Sequence, residues 1–501
     1  MWRNILLVLL TFLLANLVCS DYLTTRNEIL RAEKSLAIGG TLILTDKEKE
    51  ANEILLRVKH KELQGVQEDI TKFVPARHFL SIRKDVEKSK LFSIIQKLPK
   101  GASLHTHLSA SVSLDYVFTQ IVLLENLHGC VINGRLKLRF FEKGKTSNLC
   151  RWELIEDLRK KETTFDSWIK GQISLITDGN SQNVYNNIND IWKAFLGSFS
   201  TVYGMLTYTP VFQDYLYQAL KELYEDKVFY VEFRINFSYL YELDGKIHNF
   251  EYILETFSEV VQKFKSEHPG FIGAKIIYAP NRNLNATELE NTLNTYTSLQ
   301  KLYPDVLAGF DLVGFEDTGK PLIEFYEQFQ SFHNTTNFFF HAGETNWYGF
   351  DVDQNLIDAV MLGSKRIGHA YALVKHPKVL ELVKQKDIAI EVSPISTQVL
   401  MFVDDLRNHP SSALIAQGFP IVICNDDPGK WGAKGLSYDW YMAIMGMASK
   451  DAGLEFLKQL ALNSFKYSSL SETEKNQAIR DWTVAWGRFI EDLIKNKNSY
   501  L

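Results

Sequence analysis

Cysteine is scarce in this sequence, with only four residues in 501. That is too few for a disulfide-built scaffold, or for an all-cysteine zinc module accompanied by other thiol chemistry. The chain also lacks a charge excess, because 55 Lys and Arg residues face 60 Asp and Glu residues. Without a basic excess, the main driving force for binding a nucleic-acid backbone is missing. The hydrophobic fraction of 46% excludes a disordered or fibrous chain.

Long apolar runs are missing after the N-terminus. Residues 1–20 combine Arg3, an apolar run from Ile5 to Leu14, and the small residue Ser20. This pattern predicts a cleaved secretory signal peptide and an extracellular protein, with a buried N-terminal helix as the alternative. The run is too short to span a bilayer, which needs about 20 apolar residues, and no later segment predicts a membrane span.

Export makes disulfides permissible. Cys130 and Cys150 lie in a loop-rich stretch and are predicted to pair, with two free thiols as the alternative. Cys424 follows an apolar run and is predicted to be buried as a small hydrophobe. Three sequons fit a secreted glycoprotein. They begin at Asn236, Asn285 and Asn334, and the first closely follows a predicted strand.

The fold prediction rests on two patterns. Residues 21–100 have helical periodicity, with a capping box from Thr45 to Glu48 and a second amphipathic stretch from Ile82 to Leu98. Eight β-rich runs follow, separated by helical patterns. They lie at residues 102–107, 229–236, 274–280, 307–314, 337–343, 365–371, 388–395 and 421–426. After the first run, starts are spaced by roughly 22 to 45 residues, as in strand–helix units.

These patterns predict an α/β chain built as a parallel (β/α)8 TIM-like barrel over residues 101–501, preceded by a helical extension over residues 21–100. A doubly wound open sheet is the alternative. About 120 residues separate the first two runs, more than one crossover needs. We therefore predict an insertion at about residues 118–185, stapled by Cys130 and Cys150 above the barrel mouth. A capped helix after Ser471 is predicted to close the domain.

Polar residues gather where the predicted strands end, which is where reactive groups of such barrels lie. They are His105, His107, His341, Glu344, His369, Asp426 and Asp427. The two histidines of His105-Thr-His107 point the same way on a strand. Nitrogen and carboxylate donors without a thiolate suit Zn²⁺ or another borderline divalent ion. The predicted ligands are His105, His107, His341 and Asp426, with a water.

Such an ion makes hydroxide available near neutral pH, and a hydrolase then needs an acid–base pair. Glu344 and His369 are the candidates for that pair. Packed core histidines, a turn at Asp426-Asp427-Pro428 and a surface carboxylate at position 344 are the structural alternatives.

Long motifs at these same positions resemble one family. They read PKGASLHTH, FDLVGFEDTG, FFFHAGET, RIGHAYAL, EVSPISTQVL, DLRNHP and NDDPGKWGAKGLSYD. From about residue 30 to near the C-terminus the chain resembles the adenosine deaminase family, and within it the secreted adenosine deaminase-related growth factors. The resemblance implies a zinc-dependent barrel that converts adenosine and 2′-deoxyadenosine to inosine-type products and ammonia.

The same resemblance implies residue roles and partners. Glu344 would donate a proton to purine N1, and His369 would orient and deprotonate the attacking water. Asp427 would hydrogen-bond N7, and the Gly314 backbone N–H would reach N3. The family also implies a homodimer through the N-terminal helices and an insertion that binds receptors or glycans.

The sequence departs from the family on the ribose side. The aspartate that follows the His-x-His motif in the family is absent, and Leu108 and Ser109 stand there instead. Phe315 replaces a histidine of the secreted branch, while Thr397 and Ala370 replace an asparagine and a glycine. Two further hypotheses follow. As alternatives to adenosine deamination, the chain is a weakly active or inactive extracellular binding or growth-factor protein, or a deaminase of another 6-aminopurine with an apolar pocket.

Overall fold

The computed structural model describes residues 21–176 and 184–501, so the predicted signal peptide lies outside the described residues. Eleven strands are present among the described residues. They are Gly101–His107 (β1), Leu127–Ile132 (β2), Arg135–Phe140 (β3), Glu153–Leu154 (β4), Val228–Ile235 (β5), Gly273–Tyr278 (β6), Leu307–Phe310 (β7), His341–Ala342 (β8), Arg366–His369 (β9), Ala389–Val392 (β10) and Ile421–Ile423 (β11). Eight of them, β1 and β5–β11, correspond to the eight predicted runs.

These eight strands form a closed parallel barrel. Two four-stranded sheets have the orders β1-β5-β6-β7 and β11-β10-β9-β8. One seam is closed by the parallel bridge between Thr106 and Asp426, and the other by the bridge between Phe310 and Phe338. The barrel prediction is therefore confirmed, and the open-sheet alternative is excluded because neither sheet ends at a free edge.

Helices surround the barrel and extend it at both termini. They are residues 21–36 (α1), Asp46–Glu62 (α2), Phe79–Lys88 (α3), Lys90–Lys97 (α4), Leu114–Tyr116 (α5), Ile155–Lys161 (α6), Phe165–Ile173 (α7), Ile188–Leu206 (α8), Thr209–Glu225 (α9), Phe250–Glu267 (α10), Ala286–Leu302 (α11), Tyr326–Phe332 (α12), Asp351–Met361 (α13), Pro377–Gln385 (α14), Pro394–Val399 (α15), Ser411–Ala416 (α16), Ser437–Met442 (α17), Leu454–Lys466 (α18), Glu472–Lys495 (α19) and Lys497–Tyr500 (α20). Among the described residues, we find no helix with the length and apolar character needed to cross a bilayer.

The N-terminal helices share the core of the barrel domain. The capping box of α2 forms as predicted between Thr45 and Glu48, and α2 packs against α4, α18 and α19. The second predicted helical stretch is two helices, because Ser89 ends α3 and caps α4 through a hydrogen bond from Phe92 N. The predicted C-terminal helix is α19, capped by Ser471, and its Trp486 indole donates to Glu48 at 2.7 Å.

The insertion contains a small sheet of order β3-β2-β4. The predicted disulfide joins Cys130 of β2 to Cys150, and Cys424 is buried as a free thiol. Strand β3 packs against α8, the helix that follows the insertion. Leu175 N donates to Lys430 O at 2.8 Å, which connects the end of α7 to the loop after β11. The insertion is thereby held against the end of the barrel where the strands finish.

Candidate active site

The carboxyl ends of β1, β8, β9 and β11 bring the predicted metal residues together. Ligand-type atoms of four buried residues lie within 4.8 Å of one another. They are His105, His341, His369 and Asp426. His107 belongs to a second group of the same kind with Asp426 and Asp427, and its Nε2 lies 3.2 Å from Asp426 Oδ1. All the metal and acid–base residues predicted from the sequence therefore meet at one mouth, and the division of His107 and His369 between ligand and catalytic roles stays a prediction.

Two buried carboxylates orient two of the histidines. Glu391 lies 2.7 Å from His105 Nδ1, and Asp311 lies 2.7 Å from His341 Nδ1. Pairing of Nδ1 leaves Nε2 of each ring available, which is the arrangement commonly found behind metal-bound histidines. Burial, opposed by Asp311, lowers the pKa of His341 to about 3, so this ring is neutral and able to bind a cation.

Arg234 joins these two carboxylates beneath the site. Its Nε donates to Asp311 at 2.7 Å and its Nη2 donates to Glu391 at 2.7 Å. The remaining guanidinium contacts are to the carbonyls of Leu104 and Phe339. The guanidinium is fully buried and therefore couples the two histidine supports within one network.

The donor set fits a divalent cation. His105 Nε2, His369 Nδ1 and Asp426 Oδ1 are buried and have no hydrogen-bond partner among the described residues. Buried polar atoms normally have a hydrogen-bond partner. A cation bound among these three atoms would accept their lone pairs and so account for all three. Burial opposes the charge of Asp426, but the nearby rings of His105 and His107, with Nε2 atoms 3.3 and 3.2 Å from Oδ1, hold its pKa well below the usual range. The site therefore keeps an anionic oxygen, and burial lowers the pKa of His107, His341 and His369, which favours their neutral, cation-binding form.

Glu344 lies two residues after β8 and is 3% exposed. Its backbone N–H and that of Gly343 donate to Glu316 at 2.9 and 3.1 Å, which holds this loop in place. Burial, followed by the charges of Asp426 and Glu316, raises the pKa of Glu344 well above its usual value. The raised pKa favours the protonated form of Glu344, which can donate its proton.

The pKa of His369 is shifted in the opposite direction to that of Glu344. His369 lies 3.6 Å from Glu344, from Nε2 to Oε1, and burial lowers its pKa well below the ordinary histidine value. A neutral imidazole can accept a proton. His369 and Ala370 both have positive φ, at 61° and 47°, so the strand ends in a strained turn that aims the ring at the cluster.

Asp427 and Gly314 line the same cavity. Asp427 is buried, and burial together with the charge of Asp426 raises its pKa well above the usual value, against the opposing charge of Lys430. Gly314 has φ of 109°, and a Cβ there would come within 2.8 Å of Asn281 Nδ2. A side chain is therefore excluded at position 314, which leaves its backbone exposed to the cavity.

Some of the residues that depart from the family pattern line the cavity, and others do not. Leu108 and Ser109 line the cavity beside His107. Phe315 does not line it but stacks on Trp192 of the cavity wall, with ring centroids 4.6 Å apart. Thr397 is turned away, because its hydroxyl donates to Ser393 O at 2.9 Å.

Sequence reasoning missed the supporting charges Asp311, Glu391, Arg234 and Glu316. The first three were visible as charged residues inside mainly apolar strand runs, namely FDLVG, IAIEV and FYVEFRI. A charge in a strand buried on both faces needs a partner, and that was the available signal. Glu316 lies in the loop after β7, two residues beyond Gly314, and gave no such signal.

Comparisons with known proteins agree with this geometry. Residues 176–484 match the family model described as adenosine deaminase, and residues 5–95 match the model described as adenosine/AMP deaminase N-terminal. An adenosine deaminase of Phlebotomus duboscqi is 44% identical over 479 residues, covering 94% of this chain and 92% of that protein. Adenosine deaminase 2 of Homo sapiens is 41% identical over 478 residues, covering 94% and 93%.

Among solved structures, an amidohydrolase from Burkholderia ambifaria with bound Zn has a TM-score of 0.54. It is 16% identical and covers 82% of this chain and 96% of that one. At that identity the similarity concerns the fold alone, and it agrees with the closed barrel found here.

Proposed function

Because this chain belongs to the adenosine deaminase family, we propose that it is an extracellular, zinc-dependent deaminase of adenosine and 2′-deoxyadenosine. Water adds at purine C6 and the C6–amine bond breaks, so that an inosine-type product and ammonia leave. The observation that carries the proposal is the pairing of Glu344 and His369 beside the His/Asp cluster, with pKa values displaced in opposite directions.

His105, His107, His341 and Asp426 would hold the metal, and the unpartnered atoms of His105 and Asp426 support this assignment. Zn²⁺ is favoured because nitrogen and carboxylate donors suit it, and the Burkholderia ambifaria amidohydrolase was solved with bound Zn. A bound Zn²⁺ supplies Lewis-acid chemistry that lowers the pKa of water toward about 7.

The proposed acid acts on the purine ring, and the proposed base acts on the attacking water. Glu344 donates its proton to N1, which makes C6 more electrophilic. His369 accepts the proton of the attacking water, because its ring is neutral at the working pH. That proton then leaves with the amine as ammonia, and the second proton of the water returns to Glu344 as the C6 carbonyl forms. The buried position of both residues keeps bulk water from competing for these protons.

Purine binding is assigned to Asp427 and Gly314. Burial favours the neutral form of the Asp427 carboxyl, which can donate a hydrogen bond to purine N7. The open backbone of Gly314 can donate its N–H to N3. Both residues line the cavity that contains the acid–base pair.

Secretion is supported by the Cys130–Cys150 disulfide, which suits an oxidising compartment. The sequon residues Asn236, Asn285 and Asn334 are all exposed and so accessible to glycosylation. Helix α1 is exposed along its described length and carries Leu23, Ile29, Leu30 and Leu36, which supports a homodimer through the N-terminal helices. A receptor or glycan partner at the insertion stays part of the proposal.

The alternative function is an extracellular binding or growth-factor protein with little turnover. It is favoured by one observation, the apolar Leu108 beside His107 in the place of a ribose-contacting carboxylate.

The test is an ultraviolet assay of adenosine loss on purified protein with a measured zinc content. We expect stoichiometric zinc and turnover that disappears in Glu344→Gln while zinc remains. Stoichiometric zinc without turnover at millimolar adenosine would favour the binding function, and absence of zinc would contradict the metal assignment.

A further inference from the structure

Three neutral polar side chains line the side of the barrel mouth that the sheet β1-β5-β6-β7 forms. Ser109 lies two residues after β1, Asn236 directly follows β5, and Asn281 lies three residues after β6. These three residues, here called the polar arc, line the same cavity of about 410 Å³ as the candidate active site. They are exposed, whereas Glu344 and Asp427 are buried, so the arc lies at the open part of the cavity.

Hydrogen-bonding capacity remains free in the polar arc. The Ser109 hydroxyl and the Asn236 side-chain amide have no hydrogen-bond partner among the described residues. Asn281 Oδ1 accepts from Asn283 N at 2.9 Å, which orients the amide and leaves its Nδ2 without a partner in the same part of the chain. Together the hydroxyl and the two amides can donate and accept, so the arc can pair with several hydroxyls of a ligand.

The order of the strands around the barrel sets which edge of a bound purine faces the polar arc. In the proposed binding mode, Gly314 after β7 faces N3 and Asp427 after β11 faces N7. Between β7 and β11 the barrel contains β6, β5 and β1 in that order, and between N3 and N7 the purine perimeter contains N9. A Cβ at Gly314 would lie 2.8 Å from Asn281 Nδ2, so this amide lies against the backbone proposed to contact N3. The N9 substituent therefore faces the arc.

We propose that the polar arc binds the hydroxyls of the N9 substituent, so that this chain selects 6-aminopurine nucleosides with an intact sugar through neutral groups. This inference rests on the proposed function. Leu108 offers no polar group where the family has an aspartate. His107 pairs with Arg234 across β1 and β5, which puts Ser109 and Asn236, each two residues further on, at neighbouring strand ends beside it.

Asn236 also begins a sequon, and its amide nitrogen cannot carry a glycan while it donates to a substrate hydroxyl. Phe237 is buried and stacks on Tyr278, with ring centroids 4.1 Å apart, which holds this segment against the barrel. We therefore expect Asn236 to be unmodified in protein expressed through the secretory pathway of eukaryotic cells. Peptide mapping by mass spectrometry tests this, and a glycan on Asn236 overturns the inference.

A substrate series tests the role of the hydroxyls. It compares kcat/KM for adenosine, 2′-deoxyadenosine, 2′,3′-dideoxyadenosine and 9-methyladenine on the zinc-loaded protein, with ammonia release as the readout. We expect the value to fall by about three- to tenfold for each hydroxyl removed, mainly through KM. A series in which 2′,3′-dideoxyadenosine matches adenosine overturns the inference and leaves the proposed function intact.

Single variants locate the effect in the polar arc. Asn236→Ala and Asn281→Ala should each raise KM for adenosine by about tenfold with little change in kcat, and should leave 9-methyladenine unaffected because it has no hydroxyl. Asn283→Ala is the matched control, since its side chain does not line the cavity and its backbone N–H is kept, and KM should stay unchanged. Equal losses for adenosine and 9-methyladenine would indicate a structural role and overturn the inference.

Binding to the Glu344→Gln variant separates the inference from the proposed function, because calorimetry needs no turnover. Tighter binding of adenosine than of 2′,3′-dideoxyadenosine, lost when Asn281→Ala is added, supports the inference even if no compound is deaminated, an outcome that would reject only the proposed function. Equal binding of the two nucleosides overturns the inference, and absence of binding of either one overturns both.

Discussion

At the scale of single residues, the proposed chemistry depends on two groups whose pKa values are shifted by burial. Glu344 and His369 are both nearly inaccessible to solvent and lie within one cluster of titratable side chains. Burial disfavours the charged form of each, so the carboxyl keeps its proton and the imidazole stays free. The same physical cause thereby produces an acid and a base at neutral pH.

This pairing predicts a broad pH window for kcat/KM. The raised pKa of Glu344 keeps the acid protonated above the ordinary carboxyl range, and the lowered pKa of His369 keeps the base unprotonated below the ordinary histidine range. Activity should fall in acid only below the ordinary histidine value of about 6.5. A profile of kcat/KM against pH with its acid limb at or above that value would argue against His369 as the buried base.

Ala370 provides a test of backbone strain next to the site. Its φ of 47° is left-handed, which costs a residue with a Cβ about 1 kcal/mol or more. Ala370→Gly should therefore leave the free energy of unfolding unchanged or raise it by up to about 1 kcal/mol.

The matched control is Ala372→Gly, in the right-handed 3-10 segment Tyr371–Lys375, where glycine should lower the free energy of unfolding by about 1 kcal/mol. Chemical denaturation of both variants gives the comparison. Equal losses in both would show that position 370 is not strained.

At the scale of secondary-structure elements, the barrel is predictable because buried parallel strands have long apolar runs that end in polar residues. Strand β8 shows the limit: the predicted run 337–343 is regular only at His341–Ala342, although Phe338 still pairs with Phe310 across the seam. The break between α3 and α4 was also hidden, because apolar periodicity continues through Ser89. The periodicity of apolar residues indicates which positions are buried. It does not indicate which backbone hydrogen bonds form.

Charges in apolar strands signal that buried partners exist, but the sequence does not show that Arg234 pairs with Asp311 and Glu391, because the pairing depends on three-dimensional neighbours. This charge network predicts that Arg234→Lys weakens zinc binding by about tenfold to a hundredfold, since a lysine cannot bridge both carboxylates. Competition with a zinc chelator measures this directly.

Arg77→Lys, which alters an ion pair with Asp85 among the N-terminal helices, is the control and should leave zinc affinity unchanged. If both variants bind zinc equally well, the network does not position the histidines.

The Cys130–Cys150 disulfide is expected to stabilise the insertion. It closes a loop with a sequence separation of 20, for which chain entropy gives about 3 kcal/mol. Replacing Cys130 and Cys150 together with Ser should raise hydrogen exchange in β2 and β3. Reductant should have the same effect on the unmodified protein and none on the double variant. Unchanged exchange would show that packing against α8 is sufficient.

At the scale of the whole molecule, extension, insertion and barrel share a continuous hydrophobic core, with α2 packed against α18 and α19 and β3 packed against α8. The insertion thus lies on one side of α8 and the cavity on the other. The insertion therefore packs against the helix that lines the cavity. Helix α1 is left exposed, as a surface for a second copy of the chain in the proposed dimer.

Metal removal and return is the decisive measurement on the intact protein. Ammonia release from 6-aminopurine nucleosides should disappear when the protein is stripped by a chelator and return on addition of one equivalent of Zn²⁺, while Glu344→Gln binds zinc and stays inactive. Turnover that survives complete removal of metal, or a Glu344→Gln variant as active as the unmodified protein, would contradict a metal-dependent deaminase centre at the barrel mouth.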